Sequence, residues 1–233
     1  MLALLVVVRG SNPLREGNWP SALTLFAYAL FFSLAYVRLD AGVGALVLFS
    51  SVQLTLLAGG LAAGHRLRWR EGAGMALSLG GLAVLATPGA QAPAPWALAG
   101  MAVAGVSWGL YTLRGRSAPS PLLATAGNFA RALPFALAAA ALSLAAGAGL
   151  HATPSGLLLA AISGGITSGL GYAVWYAALG GLTPLLAGLV QLAVPALAAL
   201  GGVLMLGERL TPRLAAAGLL VLAGIGWALA GRR

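Results

Sequence analysis

Few side chains in this 233-residue chain could do chemistry, and the most conspicuous is Arg131. It lies about ten residues into an apolar run over 121–147, roughly 15 Å deep at 1.5 Å of rise per residue. A guanidinium at that depth can pair bidentately with a carboxylate, as a counter-charge for an anionic substrate group. The competing reading is an arginine that snorkels toward lipid headgroups or bonds backbone carbonyls. Asn128 precedes it by three residues on the same helical face, which suits a shared polar patch. Aromatic pairs at helical spacing come next: Tyr28 with Phe32, Trp108 with Tyr111, and Tyr172 with Trp175. They read either as walls of a passage for an amphipathic molecule or as a belt at the lipid–water interface, the reading that best suits Tyr176. Gln53 and Gln191 also fall within apolar runs, where an amide needs a partner on a neighbouring helix or on a substrate.

What is missing narrows the chemistry. There is no cysteine, and His65 and His151 have no second ligand at metal spacing, so no metal or other cofactor is expected. No Walker motif is present, so the chain does not hydrolyse ATP itself. The four acids are Glu16, Asp40, Glu71 and Glu208, and none lies deep in an apolar run. A carboxylate relay for protons or sodium is therefore not evident. An enzyme acting on lipid-linked substrates would want clustered acids or histidines on one rim. Only Glu16, His65 and Glu71 are available there, widely spaced, and the chain is read as no enzyme.

The elements that position these residues follow from composition. Hydrophobic residues make up 60% of the chain, charged ones 7%, and the mean hydropathy is +0.95. Soluble domains carry about 25% charged residues, so this is an integral membrane protein. A transmembrane helix needs about 20 apolar residues. Such runs fall near 20–37, 42–64, 72–88, 95–113, 121–147, 155–178, 184–206 and 213–230, which predicts eight transmembrane helices. Short connections rich in Pro, Gly and Arg join them and leave no room for a soluble domain. Pro134 and Pro195 lie inside runs and predict kinks. In 155–178, Gly164, Gly165, Gly169 and Gly171 weaken the helix and permit close backbone approach.

The net charge of +9 comes from thirteen arginines, all but Arg131 outside the apolar runs or at their edge, which signals topology rather than nucleic-acid binding. Arg9, Arg15, Arg66, Arg68, Arg70, Arg114, Arg116, Arg232 and Arg233 fall on one side, against Arg38, Arg209 and Arg213 on the other. Nine against three makes the first side cytoplasmic, with the C-terminus there. The chain also repeats itself: aligning 39–67 with 182–210, an offset of 143, gives 10 identities in 29 positions. The two copies end in Gly-His-Arg-Leu at 64–67 and Gly-Glu-Arg-Leu at 207–210. An odd number of spans separates them, so the repeat is inverted, the construction of secondary transporters. Glu208 and Asp40 fall at helix ends, where they bond neighbouring arginines or helix termini.

The run from Pro184 through Pro195 into Gly207-Glu208-Arg209-Leu210, followed by a small-residue-rich last helix, resembles the penultimate and last helices of EamA-type transporters of the drug/metabolite transporter superfamily. Trp108-Gly109 matches the Trp-Gly that opens each half of that family, and Asn128 and Arg131 match the polar positions that follow. The resemblance covers essentially the whole chain. It implies an all-α polytopic protein of inverted five-helix repeats, with about eight complete helices here of a family ten. Residues 1–89 would form a partial first half-repeat and 90–233 the second. It also implies a permease of the bacterial-type inner membrane that moves small organic metabolites, such as amino acids or related compounds, by alternating access and in the export direction. A non-transporting membrane subunit or a degenerate transporter remnant is the alternative. Expected partners are membrane lipid and a small-molecule metabolite, with a homodimer left open and no nucleic acid. The opening MLALLVVVRGSN looks like the tail of a helix whose start is missing, as if the first one to two helices were lost to a late start site. DNA upstream of Met1 is then expected to encode an in-frame apolar helix bearing Trp-Gly, and sequencing that lacks one contradicts this.

Overall fold

The computed structural model describes residues 15–62, 64, 68–86, 93–115, 118, 120–147, 152–179 and 193–230, and every regular element among them is helical. The helices are α1 (Trp19–Tyr36), α2 (Ala41–Ala62), α3 (Trp69–Ala86), α4 (Pro95–Gly115), α5 (Pro121–Ala145), α6 (Pro154–Ala161), α7 (Gly169–Leu179), α8 (Ala193–Leu206) and α9 (Pro212–Ala230). Among the described residues α1, α2, α4 and α5 are each long and apolar enough to cross a bilayer. Lipid leaves a backbone no water to bond, so all its N–H and C=O groups pair inside helices. The observed bounds fall within a few residues of the expected runs. For the run at 184–206 the description begins at Ala193, and Gln191 lies outside the described residues.

Local chemistry sets where the helices begin. Asn18 caps α1 by accepting from the Ser21 N–H at 2.8 Å, with Pro20 in the first turn. Thr153 does the same for α6 through Gly156 N at 3.0 Å, and Thr211 for α9 through Leu214 N at 3.1 Å. In both of the latter a proline follows at the first helical position, where the missing N–H costs nothing. Between α6 and α7 the chain winds as a π-helix over Ile162–Ser168, ISGGITS, in place of the uninterrupted helix expected there. A Cβ on Gly164 or Gly165 would meet no other part of the described residues within 4 Å, and the Thr167 hydroxyl donates to the Ser163 carbonyl at 2.7 Å. Two conformationally free glycines and a hydroxyl competing for backbone carbonyls weaken the α register.

The helices form two compact units. One takes the residues through Phe26 and those from Arg114 through α7; the other takes Ala27–Leu113 with α8 and α9. The core of the second unit is built from Leu46, Val47 and Leu48 of α2, Met101 and Ala104 of α4, and Leu214, Ala217 and Val221 of α9. Glycines bring its backbones together. A Cβ on Gly105 would meet the Leu48 carbonyl oxygen at 2.5 Å, and one on Gly109 the Thr55 Cβ at 2.6 Å, so this pair is a packing face of α4 on α2.

The tightest crossing joins α3 to α9, which run antiparallel. A Cβ on Gly81 would lie 2.8 Å from the Ala217 carbonyl oxygen, and one on Gly224 would run into the Gly74 carbonyl. The Ser78 hydroxyl, between them, donates to the Val221 carbonyl at 3.3 Å. Ser78 and Val221 are separated by the repeat offset of 143, as are Gly81 and Gly224. The two glycine contacts therefore exchange places when the offset is applied.

Gly81→Ala and Gly224→Ala each force a methyl against backbone that cannot move aside, an overpacking cost of about 1–3 kcal/mol. Gly80→Ala meets nothing within 4 Å. Thermal unfolding in detergent is expected to show a lowered midpoint for the first two variants and none for the third.

Candidate functional site

In the second unit five rings form a continuous ladder. Trp108 of α4 stands between Tyr111, at 5.8 Å between centroids, and Tyr28 of α1, at 5.0 Å. Tyr28 continues to Phe32 at 5.5 Å, and Phe32 meets Tyr36 edge-on at 4.6 Å. Positions 28, 32 and 36 recur every four residues, so α1 presents them on one face. Tilted and edge-on pairs at these separations contribute about 0.5–1.5 kcal/mol each beyond the area they bury. Tyr111 is 1% exposed and closes the ladder inside, while Tyr28, Phe32 and Trp108 are partly open. The expected residues Tyr28, Phe32, Trp108 and Tyr111 are thus brought together; Tyr36 was missed, although its spacing from Phe32 repeats that of Phe32 from Tyr28.

The ladder ends on a polar corner. The Tyr36 hydroxyl donates to the Ala41 carbonyl at 3.2 Å, and the Ala41 N–H donates to Glu208 Oε1 at 2.8 Å. Ala41 opens α2, so a carboxylate from the far end of α8 satisfies one of the orphan amides of another helix and sits at its positive pole. Two glycines make this possible. Gly207, with φ of 67°, turns the chain so that Glu208 points back, and a Cβ on Gly202 would occupy the place of Glu208 Oε2. Gly64, which precedes His65 in the other copy of the phrase, also has positive φ, at 87°.

In the first unit the polar pair of α5 holds the chain segment before α1. Asn128 is 4% exposed, and its Oδ1 accepts the Asn18 N–H at 2.9 Å. Arg131 Nη1 donates to the Glu16 carbonyl, and to the Gly127 carbonyl at 3.2 Å. Gly17, with φ of 80°, lets the segment press against Asn128 and the Ala124 carbonyl; a Cβ there would clash with both. Trp19 and Phe26 of α1 then stack on Phe135, at 5.9 and 5.7 Å. Backbone carbonyls are thus among the partners of Arg131. Neither Glu16 nor Gly17 carried a sequence signal for this latch beyond the turn-forming glycine.

Tyr172 of α7 packs edge-on against Phe129 at 5.3 Å, over Ala126. Trp175 is half-buried on α7, and Gln53 is half-buried on α2.

Two substitutions test the polar contacts. Glu208→Ala removes the acceptor of the Ala41 N–H and is expected to destabilise by about 1 kcal/mol, as loss of a helix cap does, while Glu208→Gln retains most of it. Asn128→Ala removes the acceptor of the Asn18 N–H, at an exposed residue that water can reach, and is expected to cost about 1 kcal/mol. Unfolding midpoints in detergent check both.

A family model described as the EamA-like transporter family matches residues 95–230. A Pseudomonas aeruginosa protein, described as uncharacterized protein PA1977, is 52% identical over 234 residues, covering the whole of this chain and 80% of its own. A solved crystal structure covers the whole chain and 84% of its own with a TM-score of 0.66 at 24% identity, a likeness of fold. With apolar helices able to span a bilayer, a family match over more than half its length and a relative at this identity, the chain belongs to the EamA-like transporter family and is a multi-pass membrane transporter of the drug/metabolite transporter superfamily.

Proposed function

We propose that the protein is a permease of the inner membrane that exports small organic metabolites, amino acids or related compounds among them, by alternating access. The observation that carries this reading is the ladder of Tyr28, Phe32 and Trp108, partly open along a transporter's helices and closed inside by Tyr111. Such a wall offers apolar faces and phenol hydroxyls, and so fits an amphipathic solute better than an inorganic ion. No cofactor is needed, and the C-terminus lies in the cytoplasm by the distribution of arginines.

The two half-repeats, 1–89 and 90–233, are the moving parts in this reading. Support comes from the α3–α9 crossing, whose glycine contacts interchange under the 143-residue offset, as expected for antiparallel equivalents about a pseudo-two-fold axis. Arg131 and Asn128 enter the mechanism chiefly by fixing the chain ahead of α1, with pairing to a substrate carboxylate a second role for Arg131. Lipid and the transported metabolite are the partners, and a second copy of the chain is compatible with the reading.

Purified protein in proteoliposomes, screened with radiolabelled amino acids, is expected to show saturable flux. Trp108→Ala should lower it about tenfold or more, as loss of a substrate-facing ring does, while Gly80→Ala leaves it unchanged. If Arg131 meets the substrate carboxylate, Arg131→Lys raises KM for carboxylate substrates alone. Flux unaffected by Trp108→Ala overturns the proposed wall.

A further inference from the structure

We propose that the end of the α3–α9 pair carrying Trp69 and Trp227 binds the headgroup of an anionic phospholipid. Trp69 opens α3 and is 69% exposed, and Trp227, near the end of α9, is 53% exposed. Their rings meet edge-to-face at 6.3 Å, and the Arg70 guanidinium lies 5.5 Å over the Trp69 ring. Arg68 is exposed beside them. In the sequence Arg66 precedes this corner and Arg232 and Arg233 follow α9, against a single acid, Glu71.

Exposed indoles in a membrane protein sit at headgroup level, and arginines beside them face the phosphate layer. A guanidinium fork matches the phosphate oxygens, and each basic residue near the surface strengthens attraction to anionic lipid on the order of fivefold. The ring pair and the close backbone crossing at Gly81 and Gly224 fix this corner before any lipid arrives. Leu77, exposed further along α3, extends the surface in the direction an acyl chain would take. The site does not depend on what the protein transports.

Native mass spectrometry of the full chain in detergent, titrated with phosphatidylglycerol or phosphatidylcholine of matched acyl chains, tests the proposal. Phosphatidylglycerol should be retained at concentrations at least about tenfold lower. Arg68→Gln with Arg70→Gln should weaken its retention roughly thirty-fold, and Trp69→Leu, which removes the ring under Arg70, should weaken it independently. Arg38→Gln with Arg209→Gln, changed in other connections, should retain the lipid as wild type does. Equal retention of the two lipids, an unchanged double variant at Arg68 and Arg70, or displacement by millimolar inorganic phosphate overturns the proposal.

Discussion

Two helices in lipid gain nothing from burying apolar surface against each other, because the lipid tails they leave are as apolar as the partner they meet. Association has to come from close contact, and close contact requires residues without bulk. The second unit rests on this constraint. At α3 and α9, Gly81 and Gly224 let one backbone touch the other, and the Ser78 hydroxyl adds a bond to Val221 at the crossing. At α4 and α2, Gly105 and Gly109 play the same part. Larger side chains fill only what the glycines have brought near: Met101, Leu46 and Val221 are buried because the backbones around them already approach.

The same economy governs the Glu208 carboxylate. Glu208 accepts from the first amide of α2, an N–H that at a helix end has no intrahelical partner. Under the 143-residue offset, Glu208 corresponds to His65 and Ala41 to Pro184. A proline has no N–H to give. The acid is present in the copy whose matching position carries an N–H, and the copy whose matching position is a proline has a histidine instead.

Much of the fold was legible because membranes make the code coarse. Apolar runs bounded by Pro, Gly and Arg gave the helices to within a few residues, and the pairs at 28 and 32 and at 108 and 111 came together as their spacing implies. Other features were not legible, for physical reasons. The π-helical winding at Ile162–Ser168 is a local change of backbone register that no sequence periodicity reports. Among the partners of Asn128 and Arg131 are backbone atoms of Asn18 and Glu16, more than a hundred residues away, and backbone partners leave no mark in residue types. Tyr36 was overlooked because it sits at the last turn of α1, where an aromatic ring reads as an interfacial residue. Its hydroxyl in fact joins the ladder to the Ala41–Glu208 corner.

The proposed transport path requires that the partly open rings of α1 and α4 face water during the cycle rather than lipid. The chain contains no cysteine, so single cysteines can be placed on that face without altering any native thiol. Phe32→Cys and Trp108→Cys, probed in right-side-out and inverted vesicles with a membrane-impermeant methanethiosulfonate, test the claim most directly. Labelling of both positions from the aqueous phase, slowed by a transported metabolite, is the result the account predicts. Cysteines that react only with a lipid-soluble maleimide, and at a rate no metabolite changes, would contradict it.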